Sequence, residues 1–220
     1  MKIAFYISGK AGRLVKFVKQ ADGVTLKQIE VVISDADIPS ETKEVLNAAG
    51  LSIVEIPYSL LSGGTNKARN LELSNRIDAV LSERKVDYCI SFGSHILSGA
   101  LLEHYKWRLI NFHPALLPQF PGVKAIDQAV AHGNVFLVGN TVHFIDSGID
   151  TGRIIMQSVV PLKAFSDAHD NYDIVLDLQI DMLNKLIKIL EENRLHVYGE
   201  RVEIEGADYT MACCFPKICL

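Results

Sequence analysis

Cysteine is scarce and poorly placed for cross-links. Of four, Cys89 lies alone in an apolar run, and Cys213, Cys214 and Cys219 crowd the end of the chain. No second group of His or Cys at ligand spacing accompanies that cluster, and vicinal cysteines rarely pair with each other. Neither a disulfide framework nor a zinc site is expected, and a reducing compartment is the simpler setting. Excess positive charge is also missing. Lys and Arg number 22 against 26 Asp and Glu, a formal net charge of −4, which provides no basic field for duplex nucleic acid but leaves room for local phosphate-binding patches. No apolar window approaches the length of a membrane span, and the opening run Ile3 to Ile7 is too short for a signal h-region. The expectation is a cytoplasmic protein, monomer or homodimer, with neither nucleic acid nor membrane as partner.

Internal repeats and composition breaks are absent too, so 220 residues read as a single domain, 1–220, long enough to bury most of its unfolded surface. Within it, 1–110 reads as a Rossmann-like half, 111–160 as the chemical region and 161–220 as a carboxyl-terminal helix and tail. Hydrophobic residues at 49% and charged residues at 22% are too apolar for disorder. The pattern that remains is strand alternating with helix. Strands are predicted at Ile3 to Ile7, Ile29 to Ser34, Ser52 to Ile56, Val86 to Phe92 and through Asn111 and His113. Helices are predicted after Arg13, from Glu41 to Ala49 capped by Ser40, over Lys67 to Arg84 and over Gly99 to Tyr105. Such alternation argues for an α/β fold with a doubly wound, mainly parallel sheet. Beyond Pro121-Gly122 the expected elements are a helix at Lys124 to His132, strands at Gly139 to Asp146 and Arg153 to Val160, a helix at Tyr172 to Asn193 and a hairpin at His196 to Ile204.

Two stretches carry chemistry. The turn Gly9-Lys10-Ala11-Gly12-Arg13 follows a buried strand and opens a helix. Its backbone amides suit an anion, with charge added by Lys10 and Arg13, although a glycine corner with two solvated cations has the same appearance. It lacks the third glycine of a dinucleotide fingerprint and is no Walker loop. The second stretch is Asn111-Phe112-His113-Pro114-Ala115-Leu116-Leu117-Pro118. Strand alternation puts Asn111 and His113 on one side, and Pro114 holds His113 extended while ending the ladder. A core histidine bonded to a carbonyl would also fit this stretch. The loop Ser147 to Gly152 adds Asp150.

Asn111, His113 and Asp150 together offer a neutral donor, a titratable imidazole and a carboxylate that orients it, a set suited to adding an amine to a carbonyl. His113 and Asn111 would stabilise the developing oxyanion, and Asp150 would hold His113 and move a proton through water. Serine hydrolysis is disfavoured because Ser8, Ser91 and Ser94 lack a nucleophile-elbow context. Metal hydrolysis is disfavoured because His113 and His143 lack a convincing third ligand. His143, mid-strand between Val142 and Phe144, reads as structural support ahead of catalysis.

The octapeptide from Asn111, then Pro121-Gly122, Gly139-Asn140-Thr141-Val142-His143-Phe144 and Asp150-Thr151-Gly152, in register from Met1 to about Leu190, closely resembles the folate-dependent formyltransferases. Within that family the nearest likeness is to single-domain glycinamide ribonucleotide transformylases and related amino-sugar N-formyltransferases. The resemblance implies a Rossmann-like sheet and formyl transfer from 10-formyltetrahydrofolate, a co-substrate, to a primary amine, with no metal. Asn111, His113 and Asp150 would be catalytic, while Ser94, His95, Ile96 and Leu97 with Asp146, Ser147, Gly148 and Ile149 would wrap the pterin. Purine-pathway members carry Ser-Gly-x-Gly-Ser-Asn where this chain has Ser8 to Arg13, and a glutamate where it has Met182. Both departures touch the small-molecule acceptor. A nucleotide-linked amino sugar, its diphosphate on Gly9, Lys10, Ala11, Gly12 and Arg13, is expected ahead of phosphoribosylglycinamide. Methionyl-tRNA is disfavoured by the acidic balance and by the lack of room for an extra domain. A non-catalytic folate- or nucleotide-binding protein of the same fold is the remaining alternative, against which the three convergent polar residues argue.

Overall fold

The computed structural model describes residues 1–162 and 168–210. Two compact units divide them: Met1–Asn111 with Phe144–Gly148, and Phe112–His143 with Ile149–Leu220. In the first, the elements run β1 (Ile3–Ile7), α1 (Gly12–Gln20), α2 (Gly23–Leu26), β2 (Ile29–Ser34), α3 (Ser40–Ala48), β3 (Ile53–Glu55), α4 (Asn66–Arg84), β4 (Tyr88–Phe92), α5 (Ala100–His104) and all but the last two residues of β5 (Leu109–His113). The strands are parallel in the order β3-β2-β1-β4-β5. This order makes β1 the pivot, since successive crossovers leave it in opposite directions, and its carboxyl edge lies where a doubly wound sheet opens its crevice.

The residues explain that placement. All five side chains of β1 are fully buried, as a strand covered on both faces requires, and each large one contributes roughly 1.5–3 kcal/mol. Ala4 pairs in register with Cys89, which in turn pairs with Leu109, so the Cys89 thiol sits at zero exposure in the middle of the sheet. Burial pushes its pKa up to about 12, against a smaller lowering by a backbone hydrogen bond from Tyr6. Helix α4 covers the sheet with Leu73, Ile77 and Leu81. Leu71 lies off that stripe and is 43% exposed. Helix α3 starts one residue before the expected point, with Pro39 rather than Ser40 at its cap and no side-chain cap bond. The fixed φ of proline serves the helix entry in place of a hydroxyl.

The second unit contains α6 (Ala125–His132), β6 (Leu137–Phe144), β7 (Ile154–Pro161), α7 (Ala168–Glu191), β8 (Leu195–Tyr198) and β9 (Arg201–Ile204). Strands β6 and β7 are antiparallel, pairing Leu137 with Pro161 and Thr141 with Gln157, and β8 and β9 form the short hairpin. Ile126 and Ala129 of α6 pack with Val138 and Val175 into a core. Gly139 is there for a steric reason. A Cβ on it would lie 1.8 Å from the Ser158 carbonyl oxygen of β7, so only hydrogen fits. No helix among the described residues is long and apolar enough to cross a membrane. Cys213, Cys214 and Cys219 lie outside the described residues.

Candidate active site

His113 ends β5 and is 4% exposed. Its Nε2–H donates to the Phe120 carbonyl at 2.8 Å, and its Nδ1 faces Asp150 Oδ2 at 3.3 Å. Asp150 Oδ2 also accepts the Gly122 N–H at 2.7 Å, while Oδ1 stands 3.6 Å from His143 Nε2. A carboxylate therefore sits between two imidazoles, and one more proton can bridge it to His113. Burial of the Asp150 carboxyl raises its pKa, but the hydrogen bond from His143, the Gly122 N–H and the charges of His113 and His143 outweigh that, and it lies below the usual carboxylate value. The backbone of Asp150 is left-handed, φ 53°, a conformation that Asp and Asn tolerate better than most side chains.

The loop that brings Phe120 and Gly122 to these groups is clamped from the sheet. Thr141 Oγ1 donates to the Ala115 carbonyl at 2.7 Å and accepts the Leu117 N–H at 3.0 Å. Gln157, its register partner on β7, donates to Thr141 Oγ1 at 2.9 Å and to the Leu117 carbonyl at 3.2 Å. One position back, buried Asn140 donates to Ser158 Oγ and the Val175 carbonyl and accepts from Gln179, which ties α7 to β6. Asn140 and Thr141 stood in the signature stretch without a role, and Gln157, Ser158 and Gln179 were not singled out at all. The signal was there: Asn140-Thr141 is a polar pair inside an otherwise apolar strand, and buried polar side chains need partners.

The residues expected to act together are partly assembled in this way. His113 and Asp150 meet, His143 joins them on the second carboxylate oxygen, and Asn111 lies two residues before His113 on β5, paired in register with Ser91. His143, expected first as a support, thus faces the same carboxylate as His113. In the first unit, Leu97 is buried in the same apolar cluster that Ile145 packs against, so the segments Ser94 to Leu97 and Asp146 to Gly148 share one foundation. Ser94 Oγ meets Ser8 Oγ at 3.1 Å and His95 Nδ1 meets Asp35 at 2.7 Å. Ile96 and Ile149 are 48% and 58% exposed, and Asp146 Oδ1 accepts the Gly148 N–H, leaving Ser147 at the tip of a turn.

The basic turn has Gly9 and Ala11 at φ 59° and 50°, and α1 begins without a side-chain cap or an acidic residue in its first turn. Its amides suit an anion. Lys10 is exposed. Arg13 is more engaged than expected: its guanidinium lies 4.5 Å over the Phe92 ring and donates to the Phe92 carbonyl at 3.4 Å. Met182, at the position of the expected acceptor glutamate, is 4% exposed and belongs to the core.

Residues 1–187 match the family described as formyl transferase, and the chain belongs to that family of group-transferring enzymes. It is 34% identical over 167 residues to the human trifunctional purine biosynthetic protein adenosine-3, covering 74% of this chain and 15% of that one. The chain spans only 12% to 16% of the length of the curated relatives it matches. Among solved structures, glycinamide ribonucleotide transformylase 1 from Symbiobacterium toebii superposes with a TM-score of 0.79 at 29% identity, covering 93% of both chains. The fold is therefore the α/β formyltransferase fold, Rossmann-like with a mainly parallel sheet. Phosphoribosylglycinamide formyltransferase from Anaplasma phagocytophilum shows the same fold, with a TM-score of 0.78, 24% identity, and 94% and 96% coverage of the two chains.

Proposed function

We propose that this protein transfers the formyl group of 10-formyltetrahydrofolate to the primary amine of phosphoribosylglycinamide. The observation that carries the reading is the Asp150 carboxylate set between His113 and His143, with one oxygen on the ring it would serve. In the proposed reaction the acceptor amine attacks the formyl carbon, and the carbonyl oxygen gathers negative charge. Asn111 donates to that oxygen, and His113 does so once the substrate oxygen takes the place of the Phe120 carbonyl on Nε2. Asp150 holds the other edge of the imidazole. The amine loses a proton, carried through water by Asp150, and the departing nitrogen of the folate gains one as the carbon–nitrogen bond breaks. Protons and electron pairs balance without a metal or a protein nucleophile.

Ser94, His95, Ile96, Leu97, Asp146, Ser147, Gly148 and Ile149 would hold the folate. The acceptor phosphate would take the amides of Gly9 to Gly12 and the Lys10 ammonium, with Arg13 contributing field from its seat on Phe92. The amino-sugar acceptor expected first now ranks second. A 29%-identical structure bearing the transformylase name and the purine-pathway relatives favour the phosphoribosyl amine. The test is formyl transfer from 10-formyltetrahydrofolate to a panel of phosphoribosyl and nucleotide-sugar amines, with formylated product read by mass. Turnover confined to a sugar nucleotide would replace the acceptor, and transfer to no amine would refute the reaction.

A further inference from the structure

Asp35 follows β2 and is 2% exposed, at the carboxyl edge of the strands on either side of β1. One of its oxygens, Oδ2, takes three donors: the Tyr6 hydroxyl at 2.5 Å, the Ser8 hydroxyl at 2.5 Å and His95 Nδ1 at 2.7 Å. Those donors pass the constraint on. Ser8 Oγ accepts the Ser94 N–H at 2.8 Å, and Tyr6 Oη takes a hydrogen bond from the His95 backbone. Both the side chain and the main chain of the 94–95 turn are thereby referred to one buried carboxylate. Gly93, just before it, lies so close to the Tyr6 ring that a Cβ would come within 2.0 Å.

The His95 ring is fixed from its face as well as its edge. It stacks on Tyr58 with centroids 3.7 Å apart and planes 22° apart. Tyr58 is held by its hydroxyl donating to Asn70 Oδ1 at 2.8 Å, with the Arg69 guanidinium 5.3 Å over its ring. Asp35 Oδ2 faces two hydroxyls and the imidazole, and a carboxylate oxygen in that place accepts, which puts a proton on Nδ1 of His95. The side chain remains 29% exposed, so Nε2 is the edge left to meet a ligand. A scaffold that needed only to close the sheet would not hold an imidazole in one tautomer, stacked and half-open.

We propose that Asp35 is a positioning residue for co-substrate binding: it fixes the His95 ring and the Ser94–His95 backbone to Ser8, so that His95 Nε2 meets the folate as a preset hydrogen-bond acceptor. This rests on the reading of Ser94 to Leu97 as a folate segment. The link through Ser8, the residue before the glycine turn, also makes Asp35 common to the acceptor turn and the folate turn.

The test is a double-mutant cycle on tetrahydrofolate binding, measured by calorimetry, with Asp35→Asn, His95→Ala and the pair. Asp35→Asn alone should weaken binding roughly tenfold, the scale of one charge-assisted contact, and change it less than about twofold when His95 is already alanine. In turnover it should raise the KM of the co-substrate by a similar factor with kcat nearly unchanged, whereas mere loosening of the sheet would lower kcat with it. Equal weakening in both backgrounds, or none in either, would overturn the proposal. Nitrogen NMR of wild-type His95 tests it without any variant: with the ring neutral, a proton on Nδ1 is expected, and one on Nε2 would overturn it. Neither the calorimetric cycle nor the NMR needs an acceptor. Failure to formylate any amine, beside an intact cycle, would therefore sink the proposed reaction while supporting the positioning role, and normal turnover beside an additive cycle would do the reverse.

Discussion

Asp150→Asn is the substitution that presses hardest on the proposed chemistry, because it changes charge and little else. Asparagine has the same size, accepts the left-handed backbone at φ 53° and can still take the Gly122 N–H that Asp150 accepts at 2.7 Å. What disappears is the negative charge facing His113 Nδ1 at 3.3 Å and His143 Nε2 at 3.6 Å. A charge-assisted hydrogen bond is worth about 1.5–3 kcal/mol, or about 10- to 200-fold in rate if it is felt only when His113 bears charge in the transition state. Loss of a proton carrier adds about 10²- to 10⁴-fold where that transfer limits turnover. A fall in kcat of about 10³-fold or more is therefore expected, with tetrahydrofolate affinity within about twofold of the parent. The pH behaviour has a defined sign. The folded carboxyl titrates below its ordinary value, so its contribution to stability is present above the unfolded pKa of about 3.9 and is lost as pH falls through the lower folded value. The variant should lack that acid-side loss, and any ionisation of Asp150 in the turnover profile should vanish with it. The measurements are steady-state formyl transfer across pH, folate calorimetry and thermal unfolding. A variant that unfolds like the parent and retains kcat within about fivefold would refute the catalytic role.

Three further expectations concern the clamp, the sheet and the turn. Thr141→Val strands the Leu117 N–H and the Ala115 carbonyl and leaves the Gln157 amide with the Leu117 carbonyl alone. It should cost about 3 kcal/mol, roughly 6–12 °C in Tm by calorimetry, and a shift under about 2 °C would show that the loop does not depend on it. Gly139→Ala must displace a backbone carbonyl of β7. It should destabilise by about 3 kcal/mol or more, and a crystal structure with an unmoved β7 would contradict the steric argument. Lys10→Ala should raise the KM for a phosphorylated acceptor roughly tenfold, more at low salt than at high, with the folate constant unmoved. Equal kinetics with every phosphorylated amine would leave the turn a simple corner.

The strands and helices of the first unit were legible because each crossover announces itself: an apolar run such as Ile3 to Ile7, a glycine turn, then amphipathic spacing. Boundaries moved where local rules competed. Pro39 took the cap expected of Ser40, and on α4 the four-residue spacing of Leu73, Ile77 and Leu81 left Leu71 outside the buried stripe. His113 and Asp150 could be named in advance because they fall in the stretches that resemble the formyltransferase signature, although a buried histidine bonded to a carbonyl fitted His113 as well, and it does bond the Phe120 carbonyl. Their pairing was expected across 37 positions of chain, but nothing in the sequence put a second imidazole, His143, on the other carboxylate oxygen. Asp35 passed unnoticed for the opposite reason. Ser34-Asp35-Ala36-Asp37 looks like any solvated loop after a strand, and only the parallel register of β1, β2 and β4 reveals that its carboxylate is buried under Tyr6, Ser8 and His95.

The thiol at the centre of the sheet makes a clock of this protein. Cys89 is sealed between β1 and β5, and with its pKa pushed up to about 12 it is a poor nucleophile while folded. Alkylation there must wait for β4 to part from its neighbours. With Cys213, Cys214 and Cys219 replaced by serine, labelling at excess reagent would count openings of the sheet directly, molecule by molecule in a mass spectrum. Repeating the count with saturating tetrahydrofolate would show whether a ligand held at the strand ends slows the parting of β4 from its neighbours.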